Sequence, residues 1–294
     1  MSENMNEKQS RQNAVLYVWG ITFGILIFYM FFSGALIAVT KGQDGNVNNW
    51  VLVISELFFL LLPTVIAVQF LEADWRYIIR FVIPGWKVII VAAIGVFFLQ
   101  LITEGIVQLQ YMLIPENWQQ KYIEIVNDYT EMTKDFVGTG STITFMSSVF
   151  AVAVVPAVSE EFLFRGFLQT TLEYHTKVFY AILFSSLLFG IMHLNIVIFL
   201  PLTIMSLYLG YVSYRTSSII MPMILHFLSN FYSVTTLFYF GNELDTGFSP
   251  NENVTEVLLF IIAGLSGLAG ICYYIYLQTK STKTTPQIGE SEDA

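Results

Sequence analysis

The chain of 294 residues holds a single cysteine, Cys272, which excludes a disulfide framework and any zinc site built on cysteines. Charge is equally scarce. Only 12% of the residues are Asp, Glu, Lys or Arg, against about 25% in an average soluble domain, too few to coat a globule of this size. Basic residues are the rarer sign, 13 against 22 acidic, and the net charge of −9 repels phosphate backbones, which excludes a nucleic-acid binder. What is abundant is apolar: 55% of the residues are hydrophobic and mean hydropathy is +0.64. Disordered and collagen-like chains are thereby excluded. Several apolar runs exceed the ~18 residues that mark a spanning helix, so the chain reads as a polytopic membrane protein.

Residues 1–13 are polar. The apolar run from Ala14 to about Thr40 is longer than the ~7–15 residues of a secretory h-region, and it lacks a clear cleavage site. It is read as a first span. Further runs cover roughly 50–71, 86–114, 142–172, 178–194, 196–214, 217–240 and 256–278. The expected fold is all-α, a bundle of about eight transmembrane helices around an intramembrane cavity. The expected division of the chain is a cytoplasmic segment 1–13, three spans in 14–114, an outer amphipathic segment 115–141, a core 142–240, an outer loop and last span 241–279, and a disordered cytoplasmic tail 280–294. There is no internal repeat and no lipidation signal.

Charge placement gives the orientation. With the N-terminus inside and spans alternating, Lys8, Arg11, Arg76, Arg80, Lys87, Lys177, Arg215, Lys280 and Lys283 fall on the cytoplasmic side. Lys41, Lys121 and Lys134 fall outside. This obeys the positive-inside rule and puts both termini in the cytoplasm. In the outer segment, Trp118, Tyr122, Ile125, Tyr129, Met132 and Phe136 are spaced 4, 3, 4, 3, 4, one apolar stripe on a polar helix. Such a helix either lies in the interface or serves as a lid or docking element.

A charge in mid-span costs about 2.5–3.5 kcal/mol on insertion scales, so ionisable residues there are functional candidates by default. Glu56 and Glu104 lie in the outer parts of the second and third spans, where each reaches the interface or bonds a neighbouring helix. The fourth span is different. Glu160-Glu161-Phe-Leu-Phe-Arg165 puts three charges within six residues. Glu161 and Arg165 are i,i+4 and can pair, either as an element of helix packing or of a site. Glu160 points elsewhere, because successive residues differ by about 100°. Pro156, one turn earlier, removes a backbone donor, tends to kink the helix and frees a carbonyl. Phe189 and His193 share a face of the fifth span, and His226 and Asn230 share a face of the seventh. His175 is assigned to a cytoplasmic loop.

At 1.5 Å per residue, Glu160 lies about 18 Å from the cytoplasmic end of its span, His193 about 22 Å, His226 about 14 Å and Asn230 about 20 Å. Three helices thus bring acid, base and amide groups to a similar depth, which implies a cavity that holds water. Glu160 with His193 can polarise a water, and His226 with Asn230 can donate to a tetrahedral oxyanion. Ser159 and Ser229 show no nucleophile elbow, which weakens a serine-protease reading. Two histidines and a glutamate can bind zinc, but no His-Glu-x-x-His run is present and the ligands would come from three helices.

Glu160-Glu161-x-x-x-Arg165, Phe189-x-x-x-His193 and His226-x-x-x-Asn230 together resemble the three motifs of the CPBP family, the CAAX protease and bacteriocin-processing (Abi) intramembrane endopeptidases. The resemblance covers about residues 142–240. It implies a helical membrane bundle in which Glu160 and His193 activate water and His226 and Asn230 form an oxyanion hole. Glu161, Arg165 and Phe189 are then site-organising. It further implies a metal-free mechanism with no cofactor, a membrane-associated protein or peptide as substrate, and residence as a multi-pass protein in a bacterial plasma membrane. Two other functions fit the same sequence: a non-catalytic regulator or bacteriocin self-immunity protein that acts by partner binding, and a proton- or ion-coupled transporter. The chain shows none of the repeated halves common in transporters.

Overall fold

The computed structural model describes residues 2–40, 49–70, 75–138, 140–241, 248, 250 and 253–280. The tail expected to be disordered lies outside the described residues from 281 onward. Among the described residues, ten helices follow in order: α1 (Ser2–Thr40), α2 (Asn49–Phe70), α3 (Trp75–Ile78), α4 (Trp86–Leu113), α5 (Glu116–Val137), α6 (Thr142–His175), α7 (Val178–Met192), α8 (Ile196–Thr216), α9 (Ile220–Phe240) and α10 (Val254–Thr279).

Among the described residues, six helices are long and apolar enough to cross a membrane: α1 from Gln12, α2, α4, α6, α8 and α10. The two remaining expected spans differ for separate reasons. Helix α7 has only 15 residues, about 22 Å of rise, because the chain turns over at His193–Asn195. Leu194 takes a left-handed φ of 50° in that turn. Asn195 then caps α8, its side chain accepting from the backbone N–H of Val197 at 2.9 Å. Helix α9 has 21 residues and is diluted by the polar side chains of His226, Ser229 and Asn230. At the start of the chain, α1 runs back to Ser2 through the segment read as polar.

The segments expected on opposite membrane faces make contacts at the two ends of the bundle. At one end, the Arg80 guanidinium donates to Glu173 at 2.6 Å, and Ile219 N–H donates to the Arg80 carbonyl at 2.9 Å. Arg215 donates there to Thr279 at 3.0 Å and to the Tyr276 carbonyl at 2.9 Å. His175 ends α6 at this end and is half-buried rather than a loop residue. At the other end, Asn49 donates to Ser148 at 3.3 Å, Ser148 donates to the Val137 carbonyl, and Phe248 N–H donates to Asn127 at 2.8 Å. The segments assigned to opposite membrane faces thus gather at opposite ends.

Close helix approaches rest on small residues, as expected where lipid supplies no hydrophobic drive between helices. A Cβ on Gly264 of α10 would stand 2.9 Å from the Phe98 carbonyl of α4, and one on Gly190 of α7 would stand 2.8 Å from the Phe199 carbonyl of α8. The second contact holds the α7–α8 hairpin together just before His193. The bundle interior is filled by Leu163, Phe164, Phe167, Leu168, Phe189 and Leu209, none of them solvent-exposed.

Candidate active site

Helix α6 carries the first motif and is not regular. Wide turns with i→i+5 hydrogen bonds occupy Val149–Val154 and Phe162–Gln169, on either side of Glu160 and Glu161. Such turns recur at functional sites because they re-aim side chains without ending the helix. Pro156 lies between them and α6 continues through it. The carbonyl that Pro156 leaves without its i+4 donor is that of Val152. Asn230 of α9 donates its Nδ2 to that carbonyl at 3.2 Å. The proline therefore makes the docking point for the third-motif amide.

Glu161 and Arg165 are fully buried and pair at 2.9 Å, Oε1 to Nη1. Arg165 Nη2 also donates to Ser206 of α8, at 2.8 Å to Oγ and 3.2 Å to the carbonyl. The same Glu161 oxygen lies 2.8 Å from His226 Nδ1. Phe189 is the packing centre of the group. Its ring centroid lies 5.1 Å from that of His193 and 5.8 Å from that of His226, and Arg165 Cζ sits 5.0 Å over its face. Glu161, Arg165 and Phe189 thus form one buried unit, with Ser206 as a fourth member.

The partners fix the histidine tautomers. His193 Nδ1 is 2.9 Å from the Phe189 carbonyl, which only accepts, so this nitrogen carries the proton. His226 Nδ1 faces a carboxylate already paired with Arg165 and is also the donor. Both imidazoles therefore keep Nε2 for other partners. His226 Nε2 stands 3.9 Å from Glu160 Oε2, too far for a hydrogen bond but near enough for one oxygen atom to touch both.

Glu160, Phe189, His193, His226 and Asn230 line one cavity of about 210 Å³. Among the described residues, no three His, Cys, Asp or Glu side chains come together in a set that could hold a metal ion.

The cavity also contains residues that the motifs do not name. Tyr129 and Thr133 come from α5, Leu202 and Met205 from α8, and Ser233 and Val234 from α9. Helix α5 therefore roofs the cavity. Its apolar stripe divides. Tyr122 is buried and donates to the Val107 carbonyl at 2.9 Å, whereas Trp118 and Met132 are exposed. Burial, with a smaller contribution from the Glu160 charge, raises the Tyr129 phenol above its ordinary pKa, so its O–H stays a donor. Thr133 lies off the apolar spacing, and nothing in its sequence context marks it. Glu56 bonds Tyr29 of α1 at 2.7 Å, while Glu104 is exposed and accepts from Gln108 at 3.1 Å.

No curated protein and no solved structure gives a significant match to this chain. Residues 142–232 match the family model described as type II CAAX prenyl endopeptidase Rce1-like. The match spans about a third of the chain and contains all three motifs. The motif-bearing segment is therefore Rce1-like, in agreement with the CPBP resemblance, and at family level the chain is similar to CAAX-type intramembrane proteases.

Proposed function

We propose that the chain is an intramembrane endopeptidase that hydrolyses a peptide bond of a membrane-associated protein or peptide. The observation that carries this reading is the single cavity shared by Glu160, His193, His226 and Asn230. A water held by Glu160 and His193 loses a proton to one of them as its oxygen attacks the scissile carbonyl carbon. The His193 tautomer suits this role, because its Nε2 is left as the acceptor.

The carbonyl oxygen becomes an oxyanion facing His226 and Asn230. Asn230 has one N–H engaged with Val152 and a second to offer. His226 donates through Nε2 when both its nitrogens are protonated, since its Nδ1 is engaged with Glu161. One such donor is worth about 3–4 kcal/mol in an enclosed site. The proton taken from water then passes to the leaving nitrogen as the C–N bond breaks. The reading uses no metal and no cofactor.

A volume of about 210 Å³ is below the ~300–1,000 Å³ usual for ligand pockets. The Arg80, Arg215 and Lys177 end is assigned to the cytoplasm by the positive-inside rule, in a bacterial plasma membrane.

The test uses purified full-length protein with a quenched fluorescent peptide ending in a farnesylated CAAX sequence, alongside its unprenylated counterpart. Mass spectrometry of membranes from a deletion strain names precursors that accumulate. Glu160→Ala, present at normal membrane level, is expected to leave the substrate uncut. Full restoration of function by Glu160→Ala would overturn the protease reading and leave a pocketed regulator that acts by partner contact.

A further inference from the structure

A second cavity, apart from the catalytic one, lies at the end of the bundle where the start of α2 meets α5 and α6. Its volume is about 370 Å³, within the ~300–1,000 Å³ usual for ligand pockets. Asn49, Trp50, Asp135, Phe136, Ser147 and Phe150 line it. Buried hydrogen bonds fix the three helices beside it. Asn49 of α2 donates to Ser148 of α6 at 3.3 Å, and Ser148, which has no solvent access, donates to the Val137 carbonyl of α5.

The lining attracts positive charge in three independent ways. Asp135 is its one ionisable side chain among the described residues, and there it has neither a hydrogen-bond nor an ion-pair partner. The adjacent Lys134 is taken by Glu131 at 3.0 Å. Asp135 and Phe136 lie in the last turn of α5 and Gly138 caps it, so the negative end of that helix dipole falls at the cavity. The third feature is aromatic. The Trp50 and Phe150 rings stand 6.4 Å apart at 55°, and Phe136 adds another ring; aromatic faces attract cations. A carboxylate, a helix C-terminus and aromatic rings together select a cation on an apolar stem, the chemistry of a lysine or arginine side chain.

The two cavities are lined from the same two helices. On α5, Tyr129 and Thr133 line the catalytic cavity, and Asp135 and Phe136 the second. On α6, Phe150 and Ala151 line the second, and Val152, Pro156 and Glu160 the catalytic one. The wide turn Val149–Val154 thus contributes to both. Glu160 follows Ala151 by nine positions, about 14 Å of helix rise, a distance that about four residues of extended chain cover. We propose that the second cavity is a substrate subsite that takes a basic side chain, lysine or arginine, about four residues from the scissile bond. The assignment deepens the protease reading and rests on it for the place of that residue in the substrate. The preference for a cation is a binding property and is read without turnover.

The probe is the farnesylated peptide with one lysine at the second, fourth or sixth residue counted back from the scissile bond, beside the same peptides with norleucine in its place. Binding is measured by fluorescence anisotropy on purified full-length Glu160→Ala, which holds the peptide uncut. Lysine at the fourth residue is expected to bind about tenfold tighter than norleucine. Asp135→Asn in the same background is expected to cut that preference to within about twofold. Asp135→Lys is expected to prefer a glutamate there, an inversion that a misfolded variant does not give. With Glu160 restored, Asp135→Asn is expected to raise KM for the lysine peptide about tenfold at unchanged kcat. A lysine preference that is absent at the fourth residue, or that survives Asp135→Asn, overturns the subsite. So does loss of a bound aminophospholipid in Asp135→Asn, seen by native mass spectrometry, with the peptide preference unchanged; the cavity is then a lipid headgroup site. Failure of the protease reading is seen separately, as full function in Glu160→Ala while the Asp135-dependent lysine preference persists.

Discussion

Glu161 holds His226 by its Nδ1 at 2.8 Å, with the same carboxylate oxygen that receives Arg165 at 2.9 Å. One buried oxygen therefore sets the tautomer of the imidazole that faces Glu160 and also neutralises a guanidinium with no solvent access. Glu161→Gln keeps the shape but replaces the carboxylate that accepts from both His226 and Arg165 with a neutral amide. Its kcat is expected to fall about 10²-fold, the scale of losing an oxyanion donor. Normal membrane level with normal turnover would refute this role.

Arg165 reads differently. Arg165→Leu leaves Glu161 buried without its cation and is expected to cost about 3–5 kcal/mol of stability. The double variant Glu161→Leu/Arg165→Met removes both charges and is expected to regain most of that stability while staying inactive. Thermal unfolding in detergent, measured beside turnover, separates the two effects.

Asn230 is docked by one N–H on the Val152 carbonyl at 3.2 Å. Asn230→Ala is expected to lower kcat by about 10²–10³-fold with KM nearly unchanged, because the lost donor acts only on the oxyanion. A rise in KM alone would assign Asn230 to substrate binding instead.

Gly190 tests the α7–α8 hairpin. Gly190→Ala places a methyl 2.8 Å from the Phe199 carbonyl, and Thr203 also crowds the site. The helices must part, at an expected cost of about 1–3 kcal/mol, and His193, three residues on, shifts with them. Activity is expected to fall further than stability does. An active variant of wild-type stability would show that the hairpin tolerates the separation.

The roof gives a pH prediction. Burial raises the Tyr129 phenol, so the folded protein favours the protonated form. The associated stability is present below the ordinary tyrosine pKa of about 10 and is lost as pH rises through the folded value. Tyr129→Phe is therefore expected to weaken the steep alkaline loss of stability. An unchanged alkaline unfolding curve would place Tyr129 in a looser, wetter setting than the structure shows.

The sequence alone determined the class of the protein and its three motifs. Apolar runs longer than a buried soluble helix need a membrane. The pairs Glu161/Arg165, Phe189/His193 and His226/Asn230 are i,i+4, a spacing fixed by the helical repeat whatever surrounds it. The division of the apolar stretch after Val178 was also half legible, since Asn195 is a helix cap by residue type.

Tertiary structure alone decided what meets across helices. The sequence does not show that Pro156 frees the carbonyl taken by Asn230, or that Ser206 receives Arg165. It does not show that Tyr29 binds Glu56, or that α5 turns Tyr129 and Thr133 inward while Trp118 and Met132 stay exposed. Partners on one helix follow from a fixed rotation of about 100° per residue, whereas partners on different helices depend on axial shift and rotation set by packing. Inside a membrane those packing choices are made by small residues and buried hydrogen bonds, which local sequence patterns do not encode.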